Sequence, residues 1–391
     1  MFAEAAYAIV TVTPKRQKGW VQMSIQNGQP ASEILYIGSY GTAEEPTIHV
    51  CSFNKTTGGL AVIQCVSGLE NASYLTLHPN GARLYAASET EATGYAVGGS
   101  VAAFEIDEVT GLLRMTSNRS LTHGAHPCYI STDEKGRALF AANYTGGNIA
   151  LLPITGEGEL EAAAAVHQHT GELGPNSSRQ DAPHAHCIVP LGKSPFVCAA
   201  DLGIDAIVIY RYDDERRTLI PHGVSKIHRG AGPRHLIFHP ELPVGYVMNE
   251  LDSTITLLKA DTELGALTAG QSISALPAGY DGYNDAADIH LGLSGRYLYS
   301  SNRGHNSIAV FAVDQASGEL TLIQHIECGG ETPRNFAVTQ DGGHLLVANQ
   351  KTGNVVVYTV DAESGLLTKT ASSLALPSPV CIQFAKSSLP V

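Results

Sequence analysis

One phrase returns seven times along this chain. It runs Leu-Tyr-small-small-polar, then Ile-x-Val-aromatic, then acidic-x-x-x-Gly-x-Leu. It reads LYIGSY…IHVCSF…TGGL, LYAASE…VAAFEID…TGLL, LFAANY…IALLPI…GEL and VCAADL…IVIYRYD…RRTL, and then YVMNEL…ITLLKAD…LGAL, LYSSNR…IAVFAVD…SGEL and LLVANQ…VVVYTVD…SGLL. The closing leucines are Leu60, Leu113, Leu160, Leu219, Leu267, Leu320 and Leu367, and their six intervals average about 51 residues. A period of that length belongs to propeller repeats, in which each unit buries its apolar face only against its neighbours.

Each unit holds short runs with period-two alternation, rich in β-branched and aromatic residues and separated by Gly, Asp, Asn and Pro turns. No amphipathic helix is convincing, and EAAAAV at 161–166 is too brief to form one. From the second copy onward each unit opens with an extra strand, such as SYLTLHP or PRHLIFHP. The first copy lacks it, while PVCIQFA (379–385) lies spare after the seventh. A C-terminal strand completing the N-terminal unit closes the ring and leaves no exposed seam. A solenoid would instead need atypical capping repeats. The chain is therefore expected to be all-β, a seven-bladed β-propeller occupying 33–391 as a single domain. Residues 1–32 match nothing in the repeat and are expected to be an extension outside the fold. Met23, just before the first good strand, is an alternative start.

Composition narrows the function. Charged residues make up only 16% against 43% hydrophobic, a globular profile, and the formal net charge of −13 argues against a nucleic-acid partner. The one basic cluster, Lys15-Arg16-Gln17-Lys18, is too short to change this. Cysteines 51, 65, 128, 187, 198, 328 and 381 form no C-x-x-C pair, and most sit in apolar runs. They read as reduced core residues of a cytoplasmic protein. No run approaches the length of a membrane span and no signal layout opens the chain, so neither membrane nor secretion is expected. The expected assembly is a monomer or weak homo-oligomer.

The chemistry gathers at one end of the repeat. Aligning the second strand of each unit places Ser39, Ser88, Asn143, Asp201, Glu250, Asn302 and Asn349 at its last polar position. Tyr40, Glu89, Tyr144, Leu202, Leu251, Arg303 and Gln350 follow. The start of the first strand gives Ser73, His126, His184, Arg234 and Arg334, with Asp288 and His290 in the ADIH of unit six. First strands line a propeller's channel, so these residues would ring one mouth. Polar residues at strand ends also satisfy turn backbone groups, and the arginines could form a structural ion-pair ring. Yet Arg234, Arg303 and Arg334 together in so acidic a chain suit a pocket for an anionic substrate, with carboxylate or imidazole left to handle protons. No G-x-S-x-G elbow or phosphate loop is present. His184-x-His186 with Asp201 or Asp288 could hold a metal, but an arginine-rich mouth is a poor setting for a cation. No metal and no cofactor are expected.

These residues resemble the propeller-type lactonase family of bacterial 6-phosphogluconolactonases and fungal carboxy-cis,cis-muconate cyclase. The resemblance covers roughly residues 34 to 385. It is strongest in GPNSSRQDAPHAH (174–186), GAGPRHLIFHP (230–240), NEL (249–251), AADIH (286–290), SNRGHNSIAVF (301–311), TPRNF (332–336) and VANQ (347–350). It implies a metal-independent lactone hydrolase of carbohydrate metabolism whose catalytic histidine, arginine and glutamate fall on His186, Arg234 and Glu250. A second arginine falls on Arg303, with Arg334 as rival. His184, Asp288, His290, Arg334, Asn143 and Gln350 are expected to bind substrate. The implied substrate is a small anionic lactone, most naturally 6-phosphogluconolactone of the pentose phosphate pathway. A lactonising cycloisomerase acting on carboxymuconate and a non-catalytic binding propeller are the alternatives.

Overall fold

The computed structural model describes residues 25–26, 29–30 and 32–386. Expectations for residues 1–24 lie outside the described residues; Ile25–Gln26 and Gln29–Pro30 pair as a small ladder. From Ser32 to Phe384 the chain forms seven four-stranded antiparallel sheets, with no helix among the described residues. Blades two to seven each run in chain order from an inner to an outer strand. Blade five, for example, is Pro233–Phe238, Val244–Asn249, Thr254–Asp261 and Ala266–Ser274. Blade one holds Ser32–Ser39, Ile48–Asn54 and Gly59–Val66, and takes its inner strand, Pro379–Phe384, from the C-terminus. Leu35 pairs with Phe384 and Ile37 with Ile382, so the seam closes as the missing opening strand predicts.

Seven apolar clusters fill the seven gaps between neighbouring blades. The last of them joins Leu346, Val355 and Val357 of blade seven to Leu35, Phe53 and Ile382 of blade one. A strand packed between two blades must be apolar on both faces, and Ala138–Asn143 and Val244–Asn249 are buried throughout. The outer strand Ala266–Ser274 has one wet face and alternates accordingly. Near the axis the blades converge, which accounts for the small pairs Ala86-Ala87, Ala141-Ala142 and Ala199-Ala200, all with no exposure.

The repeat also carries its own fasteners. The tyrosine of the Leu-Tyr phrase reaches the outer turn of the next blade: Tyr36 Oη donates to Gly111 O (3.0 Å), Tyr85 to Gly158 O (2.9 Å), Tyr246 to Gly318 O (2.7 Å) and Tyr299 to Gly365 O (3.0 Å). The closing leucine receives a second fastener. Its backbone is gripped by a side-chain amide of the preceding blade, Gln271 on Leu320 (3.1 and 2.8 Å) and Gln324 on Leu367 (2.9 and 2.8 Å).

Candidate active site

Every inner strand carries a β-bulge near its start. In blade five Pro233 pairs with Asn249 and His235 with Met248, leaving Arg234 unpaired. A bulge re-aims a side chain that regular alternation would send elsewhere. The same position is Ser73 in blade two, Cys128 in blade three, His186 in blade four and Arg334 in blade seven, while blade six has two residues there, Ala287 and Asp288. The register therefore corrects two alignments made from the sequence. The blade-three and blade-four positions equivalent to Arg234 are Cys128 and His186, two residues beyond His126 and His184. Asn249, not Glu250, is the counterpart of Asn143, Asn302 and Asn349. Glu250 belongs to the next ring outward, with Tyr40, Glu89, Tyr144, Arg303 and Gln350. The turn before Arg234 needs its glycine: Gly232 has φ 66°, and a Cβ there would meet Leu251 Cγ at 2.4 Å.

Blades four to six build one cluster around Glu250. Arg234 Nε stands 2.9 Å and Arg303 Nη2 3.0 Å from Glu250 Oε2, and His186 Nε2 is 3.8 Å from the same oxygen. Arg179, from the long loop ahead of blade four, pairs with Glu250 Oε1 and also with Asp285 (3.4 Å). That loop is pinned by Gln180, whose amide donates to Leu202 O and Asp205 Oδ1 at 2.8 Å each. Glu250 and Arg234 are each 2% exposed. Burial opposes ionisation of Glu250, but Arg303, Arg234 and Arg179 together hold its carboxyl well below the usual range. Burial, with Arg234 beside it, holds His186 well below the ordinary imidazole value, so its ring is neutral. Its Nδ1 faces Cys128 Sγ at 3.6 Å. Glu250 Oε2 is buried between the guanidinium groups of Arg234 and Arg303. It is an ionised acceptor with a lone pair to offer.

Across the mouth, blades seven, one and two supply a second cluster. Arg334 lies over the Tyr40 ring, 5.3 Å from its centroid, and Tyr40 Oη donates to Glu89 Oε2 at 2.9 Å. Among the described residues Arg334 makes no ion pair or protein hydrogen bond, so its fork of donors is free for a ligand. A cavity with room for about one water lies in the channel, lined in part by Glu89, Cys128, Arg234 and Arg334.

The remaining candidates fall elsewhere. His184 stacks on Tyr144 (4.6 Å), and its nitrogens meet Tyr144 O (3.1 Å) and Asp181 (3.0 Å). Asn143 is fully buried and its amide donates to Thr122 O (3.2 Å) and Asn148 Oδ1 (2.6 Å), holding its own turn. Gln350 stands half-buried on the outer ring. Asp288, 1% exposed, sits deeper, with His290 Nε2 at 2.9 Å from its Oδ2. Asp201 Oδ1 accepts from the backbone N–H groups of His184 (2.8 Å) and Gly203 (2.9 Å), and its Oδ2 is taken by His169 Nδ1 (2.7 Å). No group of three His, Cys, Asp or Glu side chains arranged to hold a metal occurs among the described residues. Arg179 lies within GPNSSRQDAPHAH but outside the repeat, so no periodic pattern in the sequence singles it out.

The fold and the site together define a seven-bladed propeller whose channel mouth holds a guanidinium-flanked, ionised glutamate beside a neutral histidine. The family described as "Lactonase, 7-bladed beta-propeller" matches residues 34–384, and the chain belongs to it. It is 33% identical over 351 residues to a 6-phosphogluconolactonase of Bacillus subtilis, covering 90% of this chain and 98% of that one. It is 32% identical over 358 residues to a 6-phosphogluconolactonase of Formosa agariphila, covering 89% and 98%. Among solved structures, the periplasmic gluconolactonase of Pseudomonas aeruginosa superposes with a TM-score of 0.85 at 31% identity, covering 91% of this chain and 99% of that one.

Proposed function

We propose that this chain is a lactonase that hydrolyses 6-phosphogluconolactone to 6-phosphogluconate, serving the pentose phosphate pathway. The observation that carries the mechanism is Glu250 Oε2, ionised, buried and flanked at 2.9 and 3.0 Å by the guanidinium groups of Arg234 and Arg303. The attacking water gives a proton to that oxygen while its own oxygen bonds to the lactone carbonyl carbon. The carbonyl electrons move onto its oxygen, where Arg234 and Arg303 stabilise the developing charge. Collapse of the intermediate breaks the ring C–O bond, and the departing ring oxygen takes the proton, with His186 within reach to pass it. The cations that keep Glu250 ionised also weaken it as a base. A dianionic substrate held by Arg179 and Arg334 offsets part of their field once bound. No step calls for a metal. The seven unpaired cysteines, all buried except Cys65, fit a reducing cytoplasm.

Hydrolysis of freshly generated 6-phosphogluconolactone, followed by acid release, tests this reading. Turnover well above the spontaneous rate is expected, and a rate at background would end it. Arg334→Gln is expected to raise KM for the phosphorylated lactone by roughly tenfold while changing KM for unphosphorylated gluconolactone little. Equal effects on both would remove Arg334 from phosphate recognition.

A further inference from the structure

Behind the site, a line of fully buried polar groups runs from Glu250 down the channel. Arg234 Nη1 donates to Ala287 O at 2.7 Å and to His235 Nε2 at 3.0 Å. His235 Nδ1 stands 2.7 Å from Asp288 Oδ1. Guanidinium nitrogens only donate, so His235 Nε2 must present its lone pair to Arg234, and the ring proton must sit on Nδ1, facing Asp288. A carboxylate thus fixes a tautomer, the tautomer fixes a guanidinium, and the guanidinium stands at Glu250. The double bulge of blade six, Ala287 with Asp288, grips Arg234 twice, once directly and once through His235. Asp288 has no capacity left for a substrate. Its Oδ1 also accepts from Ile289 N (3.0 Å), and its Oδ2 accepts from His290 (2.9 Å), Asn335 Nδ2 (2.5 Å) and Phe336 N (3.3 Å).

We propose that Asp288 is a positioning residue for hydrolysis, acting through the tautomer of His235 to set Arg234 against Glu250 and the lactone carbonyl. This rests on the lactonase reading. In Asp288→Asn, three donors crowd the Oδ2 position and two the Oδ1 position, so the new amide turns its NH2 toward His235. The ring proton then moves to Nε2 and points at Arg234, a mismatch of the kind that is costly in a tautomer-setting relay.

Three measurements test the relay. Asp288→Asn is expected to lower kcat roughly tenfold or more, with KM changed less. In a His235→Gln background, which has no tautomer to lose, the same substitution should change kcat by less than about twofold. Full loss again in that background would show that Asp288 merely holds the fold, and would overturn the relay. Nitrogen NMR of His235 reads the tautomer without reference to activity. Nδ1–H in the wild type, moving to Nε2–H in Asp288→Asn, is expected. Nε2–H in the wild type overturns the proposal, even if the variant fails to fold. A wild type inactive on every lactone but carrying Nδ1–H would sink the lactonase reading and leave the side-chain arrangement standing.

Discussion

At the scale of single residues, the mouth is legible as chemistry but not as geometry. His186, Arg234, Glu250 and Arg303 are visible because the lactonase resemblance falls on PHAH, GPRH, NEL and NRGH. Nothing in those letters shows that Arg234 is the extra residue of a bulge, or that Asn249 and not Glu250 pairs with Pro233. Two adjacent polar residues at a strand end are interchangeable to a pattern; the hydrogen-bond register decides between them. His235 illustrates what burial adds. Burial, with Arg234 beside it, brings its pKa down to about 4 against the pull of Asp288. Between about pH 6.5 and that value the unfolded chain takes up a proton that the folded chain refuses, so stability falls as the pH drops through this window. The loss from this one group is on the order of 3 kcal/mol across the window. Urea unfolding of the wild type and His235→Gln should show their stability difference narrowing from pH 7 to pH 4.5. A constant difference would contradict a neutral, proton-refusing His235.

At the scale of elements, the sequence reveals the strands through their alternation and the blades through their closing leucines, yet it conceals what joins them. The recurrent Leu-Tyr looks like core composition. In the structure its hydroxyl is an inter-blade fastener, present in blades one, two, five and six and replaced by Phe140 in blade three. Such a bond, buried on both sides, contributes about 1 kcal/mol, and losing the donor strands a carbonyl. Tyr246→Phe, at the shortest of these contacts, should lower the unfolding free energy by about 1–2 kcal/mol with kcat unchanged. An unchanged denaturation midpoint would show that the bond contributes nothing net. The loop carrying Arg179 was illegible for a different reason. It lies between repeats, where no periodic frame gives a residue its neighbours, and anchors such as Gln180 on Leu202 and Gly174 on Gly203 hold it where the guanidinium meets Glu250.

At the scale of the whole molecule, the incomplete first copy and the spare last strand were enough to predict closure, because a ring with an open seam leaves two unpaired edges. Closure is what makes a site possible at all. Glu250 and Arg234 come from blade five, His186 from blade four, Arg303 from blade six and Arg334 from blade seven, and no one blade holds the proposed set. The protein is acidic as a whole, yet it gathers guanidinium groups at this mouth, which favours a small anion there over a nucleic acid or an extended surface. The most direct test of the account is the turnover of 6-phosphogluconolactone by the wild type and by Glu250→Gln, side by side in a metal chelator. A fast wild-type rate that the chelator leaves unchanged is expected, with a kcat lower by roughly 10²-fold or more in the variant. Equal turnover by the two proteins would contradict it.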